Sequence, residues 1–506
     1  MTAVAAPLKL AHSFVTAGSR ALVALGPRYL PFADASSRGL PLPRLLRLSL
    51  FQVAVGMAAA LMVGTLNRVM IVELGVAAWV VSLFVALPLL FAPFRAVVGF
   101  RSDNHRSHLG WRRVPYIWMG TLLQFGGLAI MPFALFVLSG DTTLPQAAGR
   151  IVGPLAAGLA FLLVGAGMQT TQTAGLALAT DLADEEARPR VVALMYVTLL
   201  LGMVGSGAIF SLLLTDFSEK RLIQVVQGAA VVTVLLNLVA LWKQEARDPN
   251  RKPGKPGTSG HAERPAFRTA WRTFIADRHA RRFLWAVGLG TAAFNMQDVV
   301  LEPYGGEILH LSVGSTSALT ALLAAGGLLA FGMAASLLTR GANAEKVAAY
   351  GAVVGLPAFS AVIFAAPMEA PWLFRLGAFL IGFGGGLFSV GTLTAAMSLE
   401  RKEHVGLALG AWGAVQATAA GGAIALGGVL RDVTSELAVR GVLGEALISP
   451  VTGYSVVYHL ELLLLFVALI AIGPLVRPRR ATPGAAHAAA ASTQGSVRFG
   501  LADLPG

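Results

Sequence analysis

Apolar residues in this chain neither alternate with polar ones nor recur in narrow stripes. They run in twelve long blocks, near 48–72, 76–99, 114–138, 151–179, 191–214, 223–242, 283–304, 315–338, 346–366, 371–396, 405–428 and 454–476. A helix needs roughly 20 apolar residues to cross about 30 Å of hydrocarbon, so each block predicts a membrane-spanning helix. The blocks starting at 283 and 405 are the least clean, because polar residues interrupt them. The fold class expected is an all-α polytopic membrane protein.

The blocks fall into two groups of six. Residues 47–242 form an N-terminal bundle and 283–478 a C-terminal one, with a basic linker at 243–282, a leader at 1–46 and a tail at 479–506 expected to be disordered. The groups echo each other. Asn67 precedes Glu73 near the end of the first span, and Asn295 precedes Glu302 near the end of the seventh. Gly165 and Gly167 lie within the fourth span as Gly382, Gly384, Gly385 and Gly386 lie within the tenth. Such similarity between six-helix halves marks a repeat about an axis along the membrane normal.

Charge placement gives an orientation. Of 39 Lys and Arg, all but Arg68, Arg150, Lys220, Arg221, Arg375, Arg431 and Arg440 fall on one side if the spans alternate. By the positive-inside rule that side, with both termini, is cytoplasmic. The net charge of +13 is thereby explained without nucleic acid. No cleavable signal peptide is expected, so the first span serves as insertion signal. The linker carries 11 Lys/Arg against 4 Asp/Glu. Its Pro- and Gly-containing first half should be flexible. Phe267, Trp271, Phe274 and Ile275 in its second half suit a helix lying on the anionic leaflet, or else a solvated linker. Leu10, Phe14, Leu22, Leu25 and Leu30 suggest a second surface helix in the leader.

Only 13% of residues are charged, against 56% hydrophobic, and Cys is absent. Disulfides, thiolate metal sites and thiol nucleophiles are excluded. No P-loop, zinc motif, nucleophile elbow or dinucleotide fingerprint occurs, so no catalytic residue, no metal site and no enzyme are expected. The candidates are polar groups inside or beside the spans. Charged residues there usually face a cavity or one another. Asn67, Arg68, Glu73, Asn295, Gln297, Asp298 and Glu302 form the strongest set. Arg68 is expected to pair with Asp298 or Glu302 across the halves, either as a coupling site or as a structural ion pair. Gln169 and Gln172, three apart on the fourth span, line a cavity or bond neighbouring helices. The cluster from Asp181 to Arg190 reads as solvated loop. Of nine histidines only His310 and His459 lie near a membrane face, both at its outer edge, and none at mid-depth. A magnesium tetrapyrrole at mid-depth would need Asn, Gln, Glu, a carbonyl or water as fifth ligand.

One loop adds specificity. Gly99 permits close helix approach, Asp103 can accept from a helix N-terminus or pair with an arginine, and Arg112 and Arg113 open the third span. This Gly-x3-Asp…Gly-x-Arg-Arg pattern resembles the conformational loop of the major facilitator superfamily, with an insert at Asn104–Leu109. The run Arg101-Ser-Asp-Asn-His-Arg-Ser-His-Leu-Gly-Trp-Arg-Arg-Val-Pro-Tyr-Ile-Trp118, with Gly120-Thr-Leu-Leu-Gln-Phe-Gly-Gly127, Leu66–Leu74 and Phe91-Ala-Pro-Phe-Arg95, resembles the LhaA and PucC family. The likeness covers about residues 28–478. Gly26–Asp34 in the leader resembles its LhaA branch more than PucC. The resemblance implies two six-helix bundles of the major-facilitator type in the bacterial photosynthetic inner membrane. It implies assembly of the light-harvesting 1 antenna, with bacteriochlorophyll as a bound ligand delivered to or held for antenna polypeptides. Implied partners are the light-harvesting α and β polypeptides, bacteriochlorophyll synthase, the membrane insertion machinery and the lipid bilayer. A proton-coupled small-solute transporter and a pigment-free scaffold for antenna helices remain the alternative readings.

Overall fold

A computed structural model describes residues 40–90, 98, 101–102, 111–139, 146–184, 187–245, 275–398 and 405–476. Gly99, Asp103, nearly all of the leader, the middle of the linker and the tail lie outside the described residues, as do the surface helices expected for leader and linker. Twelve helical segments follow one another, with no strand among the described residues. They are α1 (Leu42–Glu73), α2 (Ala78–Leu90), α3 (Val114–Ser139), α4 (Gln146–Leu182), α5 (Arg188–Leu213) and α6 (Glu219–Leu241), then α7, α8 (Val313–Thr339), α9 (Ala344–Ala365), α10 (Pro371–Ser398), α11 (Val405–Val439) and α12 (Val451–Val476). Ten are long and apolar enough to cross a membrane, and α2 is a shorter apolar helix. The seventh is broken: Arg278–Asn295, a 3-10 turn at Met296–Val299, then Leu301–Glu307.

Several boundaries move, each for a visible reason. α1 starts at Leu42, inside the expected leader, because Arg44 Nε donates to Gln244 Oε1 at 3.1 Å and Gln244 Nε2 donates to the Arg44 carbonyl at 3.2 Å. The start of α7 belongs to the bundle rather than the linker: Arg282 donates to the α12 carbonyls of Ala471 and Ile470, both at 2.9 Å, and Pro474, which has no N–H, leaves the Ile470 carbonyl without its helical donor. α11 runs to Val439, beyond the expected 428, because Arg431 and Asp432 neutralise each other at 2.9 Å and let the helix continue past its apolar stretch.

Lipid is as apolar as leucine, so helices here associate through close packing and a few polar bonds. α3 and α4 show both. A Cβ on Gly120 would lie 2.8 Å from the Gly167 carbonyl oxygen, and one on Gly167 would lie 2.6 Å from that of Gly120. Around this contact Gln124 Nε2 donates to Thr171 Oγ1 at 3.0 Å and Asn237 Nδ2, from α6, donates to Thr121 Oγ1 at 2.8 Å. Of the adjacent polar residues of the fourth span, Thr171 therefore joins α4 to α3, while Thr173 bonds its own helix at the Gln169 carbonyl. The two halves meet where α5 packs on α8 and α2 on α11. Gly314 abuts the Ser211 carbonyl and Gly428 the Ala78 carbonyl, at 2.5 and 2.6 Å from the Cβ each lacks.

Candidate functional site: a polar clasp between the halves

Both helices that carry the Asn-to-Glu echo depart from α geometry there. α1 winds as a π-helix over Ala60–Leu66 and again over Val69–Glu73, on either side of Asn67. α7 tightens to a 3-10 turn over Met296–Val299, which holds Gln297 and Asp298. Such departures loosen the regular hydrogen-bond ladder and recur at functional sites. Here the side chain from one half reaches the loosened backbone of the other: Asn67 Nδ2 donates to the Asp298 carbonyl at 2.9 Å and to Glu302 Oε2 at 3.3 Å. Thr320 Oγ1, from α8, donates to Glu302 Oε1 at 3.1 Å. One turn earlier Thr65 and Ser317 share a hydrogen bond at 3.1 Å. Asn67 and Glu302 are fully buried, so Glu302 is an acid held from both halves by an amide and a hydroxyl.

Arg68 does not join this group. The expected pair with Asp298 or Glu302 is replaced by an ion pair with Glu73 and a bond to the Leu311 carbonyl at 3.3 Å. The π register is the reason: with five residues between ladder partners, Arg68 and Glu73 align on one face. The Arg68 chain is thereby turned toward Gly306, whose missing Cβ would lie 2.8 Å from Arg68 Nε. Asn295 Nδ2 satisfies its own helix at the Thr291 carbonyl, 2.7 Å away. Gln297 Nε2 bonds Asp298 Oδ1 and, at 3.3 Å, the Phe294 carbonyl. Beside them lies a cavity of about 180 Å³, lined by Asp298, Asn295, Gln297, Ser389 and Gln416 among others. Gln169 and Gln172 do not line it. Gln169 keeps a buried Oε1 with no partner.

Several groups in this neighbourhood escaped the sequence reading. Glu461 of α12 is fully buried, and neither carboxylate oxygen has a hydrogen-bond partner. Tyr454, Tyr458 and Glu461 stand four and three residues apart, one face of a helix, and all three are fully buried. That spacing inside an otherwise apolar span was the available signal. Tyr304 of α7 packs against both tyrosines, with ring centroids 5.4 and 5.5 Å away. Farther from the chain ends Tyr454 Oη bonds Glu307 Oε2 at 2.5 Å and accepts from Arg431 at 3.0 Å. Arg431 also pairs with Glu307 and Asp432. Asp432 Oδ2 in turn accepts from the Trp79 backbone N–H at 2.8 Å, capping the start of α2. The chain Trp79–Asp432–Arg431–Glu307–Tyr454 ties the N-terminal half to three helices of the other.

At the opposite end Arg112 and Arg113 both pair with Asp181, Arg113 Nε at 3.1 Å. Arg113 Nη1 donates to Ser102 Oγ at 2.7 Å. Glu245 accepts from the backbone N–H groups of Arg112, Arg113 and Val114 at 2.8–3.2 Å, a carboxylate cap on α3. Asp181 is therefore a bonded partner rather than part of a solvated loop. The paired arginines hold protein groups, joining α3, the end of α4 and the segment before α3. Among the described residues no group of three His, Asp or Glu converges to hold a metal ion.

The PUCC protein family model matches residues 65–480. This chain belongs to the PucC family. It is 57% identical over 411 residues to Protein PucC of Rhodovulum sulfidophilum, covering 81% of this chain and 90% of that protein. It is 52% identical over 486 residues to an uncharacterized protein of the puhA-bchM intergenic region of Rhodobacter capsulatus, covering 96% and 99% of the two chains. A more distant relative, 27% identical over 446 residues, is the bacteriochlorophyll synthase 44.5 kDa chain of the same species, with 87% and 96% covered. Among solved structures the nucleoside transporter NupG aligns with a TM-score of 0.62 at 15% identity, over 86% of this chain and all of that one. A bacterial homologue of the iron transporter ferroportin in an inward-facing state aligns at 0.60 and 14%, over 85% and 98%. These likenesses show the fold, a major-facilitator arrangement of two six-helix bundles; the family comes from the sequence matches.

Proposed function

We propose that this chain is a non-enzymatic assembly factor for the light-harvesting 1 antenna, holding or delivering bacteriochlorophyll to antenna polypeptides in the photosynthetic inner membrane. The observation that carries the reading is the family match over residues 65–480, joined by a relative named for bacteriochlorophyll synthesis. The fold agrees with it: two bundles joined by a polar clasp offer greasy outer faces and a lined interior. The α and β antenna polypeptides, bacteriochlorophyll synthase and the insertion machinery are the partners such a role requires, with both termini cytoplasmic. Purification in mild detergent tests the reading. Near-infrared absorption bands that survive washing are expected. A colourless preparation that retains antenna polypeptides would replace the carrier with a pigment-free scaffold.

A second reading, a proton-coupled small-solute transporter, is favoured by one observation: the fully buried acid Glu302 sits at the junction between the halves of a transporter fold, with the half-buried Asp298 one turn before it. Because Asn67 bonds Glu302 across the halves, any change of charge on that carboxyl acts directly on the junction. The double variant Asp298→Asn, Glu302→Gln separates the readings. Antenna assembly at wild-type level in that variant would remove the coupling role of these acids, and its loss would establish their need.

A further inference from the structure

A second cavity lies at the end of the bundle away from the chain ends. It measures about 1150 Å³ and is bounded by four separate segments. These are Ile308–His310 after α7, the turn between α9 and α10, the stretch after α11, and the first turns of α12. Its walls are mostly apolar, with Ile308, Pro367, Leu447 and Val456 among them, yet His310, Glu369 and His459 also line it. Pockets for drug-sized ligands usually enclose about 300–1,000 Å³, so this volume suits a larger, largely apolar guest.

Two of these polar residues stand where a side chain is disfavoured. His310 and Glu369 have φ of 52° and 49°. Each ends a helix with a bond from the following N–H back to a carbonyl of the last turn: Leu311 to Gly305 and Ala370 to Ala365, both at 2.9 Å. Glycine is the usual residue at this position, and a side chain there costs about 1 kcal/mol.

His459 carries the chemistry. A carbonyl oxygen can only accept, so the 2.7 Å contact between His459 Nδ1 and the Ser455 carbonyl places the ring proton on Nδ1. In the neutral ring Nε2 then keeps its lone pair. Imidazole with one nitrogen donating to a backbone carbonyl and the other bare is the arrangement of a metal-ligating histidine. No second and third ligand converge on it among the described residues. The metal it suits is therefore one that brings its other ligands along.

We infer that this far-end cavity, with His459 Nε2 as axial ligand, is a binding site for a large apolar macrocycle carrying its own magnesium. The inference rests on the pigment-holding reading above and adds to it a place and a ligand. It places the site at the end of the bundle away from the chain ends.

The test uses the full chain purified in mild detergent and titrated with bacteriochlorophyll a, or with bacteriopheophytin a, the same ring with two protons in place of magnesium. Absorption spectra report both binding and axial coordination. Wild-type protein should bind the magnesium ring at least about tenfold more tightly than His459→Leu does, whereas the two should bind the metal-free ring equally. His459 is exposed, so its loss leaves the fold intact, which a matched melting temperature verifies. Equal binding of the magnesium ring by wild type and His459→Leu overturns the site while leaving the pigment-holding function in place. Selectivity lost in His310→Leu instead overturns the choice of ligand. Failure of the wild type to bind either ring overturns the site and that function together.

Discussion

Replacing Gly382 by valine should abolish accumulation of folded protein. A Cβ at this position would lie 2.0 Å from the Leu323 carbonyl oxygen, and across the same crossing a Cβ on Gly326 would lie 2.1 Å from that of Phe379. Cβ atoms do not approach so closely, and both obstacles are backbone. No rotamer change relieves the clash, so α8 and α10 must separate along their length. Overpacking by flexible side chains costs about 1–3 kcal/mol; displacing a helix backbone should exceed that range. Membrane levels measured by immunoblot, with the melting temperature of any protein recovered, check the outcome. Gly422→Ala is the control, since nothing lies within 4 Å of the added carbon. Normal yield of Gly382→Val would show that the α8–α10 contact is not needed for the fold.

The second large effect belongs to Arg431. Its guanidinium joins Glu307, Asp432 and the Tyr454 hydroxyl, and its Cζ lies 4.7 Å from the Tyr454 ring centre. Removing one partner of a buried ion pair costs about 3–5 kcal/mol, because a charge is left without compensation. The Glu307 side chain is 34% exposed and water screens part of that penalty, so Arg431→Ala should cost about 2–3 kcal/mol. Thermal unfolding in detergent reads it directly. Arg431→Lys keeps the charge but loses the planar fork that serves several acceptors at once, and should fall between wild type and alanine. If alanine melts with the wild type, the far-end chain from Trp79 to Tyr454 contributes nothing to holding the halves together.

Much of the architecture was legible because hydropathy over 20 residues is a strong, local signal. The twelve helical segments, ten of them long and apolar enough to cross a membrane, and the irregular character of the seventh appeared in the apolar blocks. The Asn-to-Glu echo likewise picked out Asn67 and Glu302, which do meet. What failed was the choice of partner. Arg68 was matched to the acids of the other half on charge alone, whereas the π-turns of α1 bring it to Glu73. Nothing in the residue types of Ala60–Glu73 announces that winding. Glu461 and the tyrosine face of α12 were passed over because α12 is the most apolar span, and a single acid in it weighs little against that average. Asp181 reads as loop in the sequence because its partners, Arg112 and Arg113, are 69 and 68 residues away.

The amino-acid sequence alone determined that this is a polytopic membrane protein of the PucC family. Solvent transfer of each block and local motif identity are properties of short stretches, readable without neighbours. Tertiary structure decided which polar groups satisfy one another: Asn67 with Glu302, Arg68 with Glu73, Arg431 with Glu307, and His459 with a cavity assembled from four segments. Within hydrocarbon a polar group left without a partner in the protein is costly. That partner is fixed by helix winding and crossing, which depend on the whole packed assembly rather than on any one span.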